Sequence, residues 1–367
     1  MSIKVIISGG GTGGHVYPAI AIAKAVKEKE PTADILFVGA QDKLEMEKVP
    51  KAGFPIKGLW ISGFHRKLTL RNLMFPFKLI HSLLKSRAII RRFKPDVAVG
   101  VGGFASGPLL EMASRSGVPS MIQEQNSYAG ITNKLLAKKV HKICVAYPEM
   151  ERFFPKEKLI LTGNPVRKDI LNPEAKKTEA LMHFSLPVDA KTIFITGGSL
   201  GAQSINEAIA EQIDLFKSAD VQVIWQAGKL YVDRFRSLVE DASNIQIMAF
   251  VDRMDLAYAA ADLVVCRAGA STISELCLAG KPSILVPSPN VAEDHQTKNA
   301  MALVKVDAAQ MVKDASAKAE LVPQALDLLA DISKQAALTK AILTLGKPNA
   351  ASDIADIVIH LAKKTNQ

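Results

Sequence analysis

The same short pattern opens this chain twice. Ile6-Ile7-Ser8-Gly9-Gly10-Gly11-Thr12-Gly13-Gly14 comes first, and Ile193-Phe194-Ile195-Thr196-Gly197-Gly198-Ser199-Leu200-Gly201 restarts it. Each is an apolar run, a glycine loop and then a helical pattern, the order found at the first βα turn of a parallel sheet. At roughly 100–200 residues per domain, a chain of 367 residues has room for one such domain per copy. The economical reading is α/β, with two tandem doubly wound domains.

Short apolar or β-branched runs separated by helical patterns support it. Strands are expected at Lys4–Ser8, Ile35–Val38, Lys57–Ile61, Val97–Val101, Ser120–Glu124, Ile143–Ala146 and Ile160–Leu161. A second series is expected at Thr192–Thr196, Gln222–Gln226, Gln246–Phe250, Leu263–Cys266 and Ser283–Val286. Alternation of this kind implies parallel sheets wrapped by helices on both faces. Gly163-Asn164-Pro165-Val166-Arg167 is a turn signal, followed by a polar stretch carrying Pro173 and Pro187, so the chain is expected to cross between domains near 162–168. The expected divisions are 1–163, 164–348 and a C-terminal helix in 349–367. That helix should run over Asp353–Lys364 with Ser352 as N-cap. Its stripe of Ile354, Ile357, Val358 and Leu361 suits a seat on either domain, including a return to the N-terminal one.

Composition removes several classes. Hydrophobic residues make up 48% of the chain, enough for two cores, which excludes a disordered or fibrous protein. Cys144, Cys266 and Cys277 form no CxxC pair. That argues against a disulfide framework or a zinc ribbon and fits a reducing cytosol. The N-terminus lacks a signal-peptide pattern, and no run of 18 apolar residues predicts a membrane-spanning helix.

The formal charge of +10 is concentrated. Residues 48–95 contain no Asp or Glu but twelve bases: Lys48, Lys51, Lys57, Arg66, Lys67, Arg71, Lys78, Lys85, Arg87, Arg91, Arg92 and Lys94. Interleaved with them are Trp60, Ile61, Phe64, Leu68, Leu70, Leu73, Met74, Phe75, Phe77, Leu79, Ile80, Leu83 and Leu84. This is the composition of a surface that sits on anionic lipid. The plainer alternative is a core helix with a solvated basic face, because Leu73, Phe77, Ile80 and Leu84 recur at helical spacing. Nucleic acid is a third option, with no helix-turn-helix, zinc-finger or RNP signature behind it.

Gly9, Gly11 and Gly14 satisfy the dinucleotide pattern G-x-G-x-x-G. That reading also needs an acid closing the second strand, which ends instead in Gly39-Ala40-Gln41. Anion binding remains. Further glycine-rich turns occur at Gly100–Pro108, Gly197–Gly201 and Arg267–Thr272. Ligands of open α/β sheets collect outside strand C-termini, and helix N-termini there favour phosphate. Four such loops suggest two phosphorylated ligands. Glycines serving only tight βα turns are the bland alternative.

Among titratable groups, His15 directly follows the first loop and suits a general base. Glu124 and Asn126 leave the fifth strand at its C-terminal end, where either could be a turn residue instead. Thr272-Ile273-Ser274-Glu275 fits a capping box, or else Glu275 could hold a ribose diol. Asp294, His295, Gln296 and Asn299 open another helix without metal-ligand spacing, and the chain has no D-x-D triplet, so no catalytic metal or other cofactor is expected.

Gly9–Ala19, Gly100–Pro108, Glu124-Gln125-Asn126, Thr162–Arg167, Gly197–Gln203, Cys266–Glu275 and Asp294–Ala300, taken in order, resemble the MurG family of peptidoglycan glycosyltransferases along nearly the whole chain. The resemblance implies a GT-B fold, two Rossmann-like domains facing a cleft, with the acceptor in the first and UDP-GlcNAc mainly in the second. It implies inverting, metal-independent transfer of N-acetylglucosamine to lipid I, making lipid II at the cytoplasmic face of the cell membrane. By motif, Thr12, Gly13, Gly14 and Asn126 would line the sugar and phosphate side, while Arg167 and Ser199 would reach the donor. Val251 would offer backbone hydrogen bonds to uracil. Ala270, Ser271, Thr272, Ile273 and Ser274 would cradle the diphosphate, Glu275 would hold the ribose, and Gln296 the GlcNAc hydroxyls. The motif leaves the base open, with His15 first and Glu124 second. His295 stands where some members have a second glutamine. A membrane-docking role for residues 48–95 becomes the better reading beside a lipid-linked acceptor, and nucleic acid is not expected as a partner. The rivals are another GT-B enzyme, such as a UDP-sugar epimerase or a glycolipid glycosyltransferase, and a nucleic-acid-binding module, which has no use for the glycine loops.

Overall fold

The computed structural model describes residues 2–63 and 74–364. It divides into two compact units, Met1–Val166 with Asn349–Gln367, and Arg167–Pro348. In the first unit the strands are β1 (Lys4–Ser8), β2 (Asp34–Ala40), β3 (Ile56–Leu59), β4 (Val97–Gly100), β5 (Ser120–Glu124), β6 (Lys142–Val145) and β7 (Leu159–Leu161). Its helices are α1 (Gly13–Lys29), α2 (Glu45–Lys51), α3 (Phe75–Phe93), α4 (Ser106–Arg115) and α5 (Ile131–Leu136). The second unit has β8 (Lys191–Thr196), β9 (Val221–Gln226), β10 (Ile245–Met248), β11 (Leu263–Cys266), β12 (Ser283–Leu285) and β13 (Gln310–Met311). Its helices are α6 (Lys177–His183), α7 (Gln203–Glu211), α8 (Ile213–Ser218), α9 (Val232–Phe235), α10 (Met254–Ala260), α11 (Ala270–Ala279), α12 (His295–Val304), α13 (Ala317–Ala330) and α14 (Ile332–Thr344). The last helix, α15 (Ala350–Lys364), returns to the first unit.

Every expected strand forms, with edges shifted by a residue or two. Only two residues long, β13 was not foreseen, because a pair of residues carries no period. The sheet orders among the described residues are β3-β2-β1-β4-β5-β6-β7 and β10-β9-β8-β11-β12-β13, with every pairing parallel. Both sheets are covered on two faces. Val5 and Ile7 join one core, Ile6 the other, as alternation along a strand requires. Ile193 and Phe194 divide the second unit's cores in the same way.

The final helix starts at Ala350, so Ser352 lies inside it rather than capping it. The Asp353 amide already reaches the Asn349 carbonyl, at 2.8 Å. Ile354, Val358 and Leu361 pack with Val16, Ile22 and Val26 of α1, and Lys29–Asp356 and Lys363–Glu30 ion pairs flank the contact.

Both sheets reverse their strand order beside the first strand. Ser8 lies opposite Gly100, and Thr196 opposite Cys266. The turns after β1 and β4 therefore leave side by side, as do those after β8 and β11. Such switch points are where open α/β sheets hold ligands.

Candidate active site

In the first unit the two glycine turns press backbone to backbone. A Cβ at Gly103 would lie 2.2 Å from the Gly10 carbonyl oxygen, and Gly103 has φ +86°. Ser106 Oγ sits 2.8 Å from both the Ser8 and Gly102 carbonyls, tying the turns together. Behind the first turn lies Glu45, a residue sequence reasoning missed. It is fully buried, with Oε1 accepting the Ala40 amide and Oε2 the Gly11 amide, both at 2.9 Å. A Cβ at Gly10 would lie 2.0 Å from Glu45 Oε1. The acid sought at the end of β2 thus exists, but it arrives from α2 and turns inward. A dinucleotide pyrophosphate would meet its charge there and find the Gly11 amide already used. Several of these glycines serve packing, as the bland alternative held. The helix N-terminus at Gly13 and Gly14 keeps amides without intrahelical partners.

His15 stands on the first turn of α1, with Nδ1 3.1 Å from Thr12 Oγ1. Its ring lies against Gly102, where a Cβ would come 2.8 Å from Nε2 and 3.7 Å from Gln125 Oε1. Thr12, His15 and Gln125 are therefore brought together. Glu124 is placed differently. Its Oε1 accepts from the Asn126 amide (3.1 Å) and Nδ2 (3.3 Å), and its Oε2 from the Gly130 amide (3.0 Å) and Asn133 Nδ2 (2.9 Å). A carboxylate offers about four lone-pair positions, and this one uses them on the loop that follows it and on Asn133 of α5. Glu124 anchors residues 125–130 and orients Asn126.

In the second unit, Thr196 Oγ1 accepts the Gly198 amide at 3.1 Å. Gln226, also missed, bridges two turns from the end of β9. Its Nε2 lies 2.9 Å from Thr196 Oγ1 and 3.1 Å from the Gly198 carbonyl, while its Oε1 accepts the Val251 amide at 2.8 Å. Of the Val251 backbone groups expected at uracil, the amide is thus bonded to Gln226. Ser199 is exposed on the glycine turn. Arg267 is turned away from the turn, donating to Val286 O (3.0 Å) and Ser204 Oγ (2.7 Å) and pairing with Asp314.

Gly269 is the N-cap of α11, so Ala270, Ser271 and Thr272 form its first turn and the proposed capping box does not form: Thr272 lies inside the helix. Ser271 Oγ is buried with no hydrogen-bond partner among the described residues. Glu275, one turn further, accepts from the Tyr258 hydroxyl at 3.0 Å and lies 3.4 Å from Arg167 Nε. Burial raises its carboxyl above the ordinary range, opposed by the Arg167 charge and the Tyr258 hydrogen bond. Gln296 Oε1 accepts the Ser288 amide at 2.9 Å, so its NH₂ is the end left to meet a ligand. His295 is the first residue of α12, and buried Asn299 reaches toward the Ala268 carbonyl at 3.4 Å.

Helix α3 is amphipathic in reverse. Ser82, Ser86 and Ile90 form its buried stripe, with Ser82 Oγ donating to Trp60 O at 3.1 Å. Phe77, Ile80 and Leu84 stand 65%, 57% and 63% exposed. Their helical spacing had suggested core; the serines take that face because small side chains let α3 approach α4 closely. Phe64, Arg66, Lys67, Leu68, Leu70, Arg71 and Leu73 lie outside the described residues.

Two parallel α/β units, each with paired turns at its switch point, have the architecture of the GT-B glycosyltransferases. The N-terminal domain model of glycosyltransferase family 28 matches residues 5–145, and the C-terminal domain model matches 192–356. The chain belongs to glycosyltransferase family 28. It is 56% identical over 360 residues to the UDP-N-acetylglucosamine--N-acetylmuramyl-(pentapeptide) pyrophosphoryl-undecaprenol N-acetylglucosamine transferase of Flavobacterium psychrophilum, covering 98% of each chain. A protein of the same name from Parabacteroides distasonis is 54% identical over 363 residues, covering 98% of this chain and 99% of its own. Among solved structures, Acinetobacter baumannii MurG is similar with a TM-score of 0.79 at 28% identity, covering 98% of this chain and 99% of its own.

Proposed function

We propose that this chain transfers N-acetylglucosamine from UDP-GlcNAc to the MurNAc 4-hydroxyl of undecaprenyl-diphospho-MurNAc-pentapeptide, lipid I, giving lipid II for peptidoglycan synthesis. The observation that carries the donor half is the start of α11. There an orphaned buried hydroxyl, Ser271 Oγ, lies at a helix N-terminus one turn before the Glu275 carboxylate. A diphosphate suits the first and a ribose the second. Residues 167–348 then form the donor domain, with Arg167, Ser199, the Val251 carbonyl and the Gln296 NH₂ as further contacts.

Residues 1–166 take the acceptor. A hydrogen on His15 Nδ1, donated to Thr12 Oγ1, makes Nε2 the acceptor for the 4-hydroxyl proton. The oxygen attacks the anomeric carbon, the bond to UDP breaks with inversion, and the α11 N-terminus stabilises the charge on the departing diphosphate. Gly13, Gly14 and Asn126 line the acceptor side.

The reversed amphipathic helix α3 carries a lipid-facing role. Phe77, Ile80 and Leu84 are exposed beside Lys85, Arg87, Arg91 and Arg92, and each base near an anionic leaflet adds about 1 kcal/mol. No described helix is long and apolar enough to cross a membrane. The enzyme works as a peripheral protein on the cytoplasmic leaflet.

The test supplies UDP-GlcNAc with a lipid I analogue. Disaccharide-lipid should form, and His15→Ala should lower turnover about 10²–10⁴-fold with donor affinity kept. Turnover only on another acceptor would overturn the assignment. Replacing Phe77, Ile80 and Leu84 by Ser should reduce sedimentation with anionic vesicles while sparing a short-chain soluble acceptor. Equal losses in both assays would remove the docking role.

A further inference from the structure

Tyr258 is a large polar side chain enclosed in the second unit. It sits on α10, fully buried, with its ring edge-on to Phe194 at 5.9 Å. Its hydroxyl donates to Glu275 Oε2 at 3.0 Å, while Arg167 Nε approaches Oε1 at 3.4 Å. Of about four acceptor positions on a carboxylate, these partners take one on each oxygen. One position on each oxygen remains, which is what a vicinal diol needs.

We propose that Tyr258 is a positioning residue for donor recognition: its hydroxyl fixes the rotation of the Glu275 carboxylate so that both oxygens meet the two ribose hydroxyls of the uridine diphosphate sugar. The inference rests on the reading of Glu275 as the ribose ligand. The terminal carboxylate torsion of glutamate is intrinsically broad, so an unpinned Glu275 would present this pair of acceptors only part of the time. Rigid seating of Tyr258 against Phe194 removes that freedom before the donor arrives.

The hydroxyl also bears on the charge. Groups that bear on Glu275 are Tyr258 from α10, Arg167 and Asp169 from the crossing segment, and Cys266 from β11. The buried Cys266 thiol is pushed up to about 12 and stays neutral. Burial raises the Glu275 carboxyl, and Asp169 adds to this. Arg167 and the Tyr258 hydrogen bond hold it down. Donor binding that needs the ionised form is complete above the carboxyl's pKa and lost as pH falls through it. Without the hydroxyl that pKa rises further, so affinity is lost at a higher pH.

The experiment compares Tyr258→Phe with the unmodified protein, titrating each with UDP and with 2′,3′-dideoxyuridine diphosphate across pH. In the variant UDP should bind roughly tenfold more weakly, the loss of one hydrogen bond to a charged group, with its acid limb moved up in pH. The dideoxy ligand should bind both proteins alike. Equal weakening of both ligands would mean that Tyr258 acts through the fold and overturns the proposal. Unchanged UDP affinity in the variant, with the unmodified protein still preferring UDP, would overturn it alone. If the unmodified protein bound both ligands equally, the ribose reading of Glu275 would fall as well.

Discussion

The two copies of the strand–glycine–helix opening differ in what lies behind the second glycine of each, Gly10 and Gly198. In the first, the chain fills that space. The Glu45 carboxylate takes the amides of Ala40 and Gly11, and Gly10 leaves room for its oxygens. In the second, Gly197 and Gly201 pack against Ala202 and Ala227, but nothing lies within 4 Å of where a Gly198 Cβ would be, and the buried acid of that unit's other turn, Glu275, lies one helical turn after the orphaned Ser271 hydroxyl. One pattern therefore puts a carboxylate behind its second glycine in one place and open space there in the other. Glycine spacing reports that a backbone must come close to something. It does not report whether that something is the protein itself.

Alanine at Gly103, which presses on the first opening turn, and at Gly198 in the second separates the two cases. At Gly103 the added Cβ would meet the Gly10 carbonyl oxygen at 2.2 Å in a backbone with φ +86°. Neither backbone can yield without breaking the paired turns, so Gly103→Ala should cost the first unit more than about 4 kcal/mol. Gly198 has a similar φ of +87° but no neighbour, so Gly198→Ala should cost only about 1–2 kcal/mol, the strain of the left-handed backbone. Peptide-resolved hydrogen exchange over β1, β4 and β8 measures both. Equal costs would mean that the turns are packed alike.

Much of this was legible in the sequence, for a physical reason. Strands buried on both faces need unbroken apolar runs such as Val5-Ile6-Ile7, and the glycine turns between them punctuate the chain. The motifs also put His15 and Glu275 on helices that follow strand C-termini, and the structure has both there. What stayed hidden depended on side-chain direction. Glu45, on a short helix between Asp42 and Glu47 in sequence, carries no sign that it alone turns inward. Gln226 ends an ordinary strand, and only the neighbouring turns make it a bridge between Gly198 and Val251. Glu124 looked like a base because of where its strand ends, yet its four hydrogen bonds come from Asn126 and Gly130 of the loop that follows and Asn133 of α5. The helical spacing of Phe77, Ile80 and Leu84 identified one face of α3 but not which way that face points.

The same conservative change at the two buried acids probes the contrast most finely. In Glu45→Gln, one end of the side chain becomes an NH₂ facing a backbone amide, leaving a buried donor without a partner. The first unit should lose about 2 kcal/mol, and UDP affinity should not change. In Glu275→Gln the side-chain oxygen can still accept from Tyr258. Burial raises this carboxyl in the folded protein, so its charge costs stability above that pKa, and the neutral amide removes the cost. The second unit should therefore keep or gain stability at neutral pH, while UDP binds roughly tenfold more weakly for want of a charged acceptor. Urea denaturation and UDP titration on both variants give four numbers. A stability loss at Glu275 with donor affinity kept would make it a second structural acid and erase the difference between the turns. Weakened UDP binding in Glu45→Gln would show that the first turn also serves the donor.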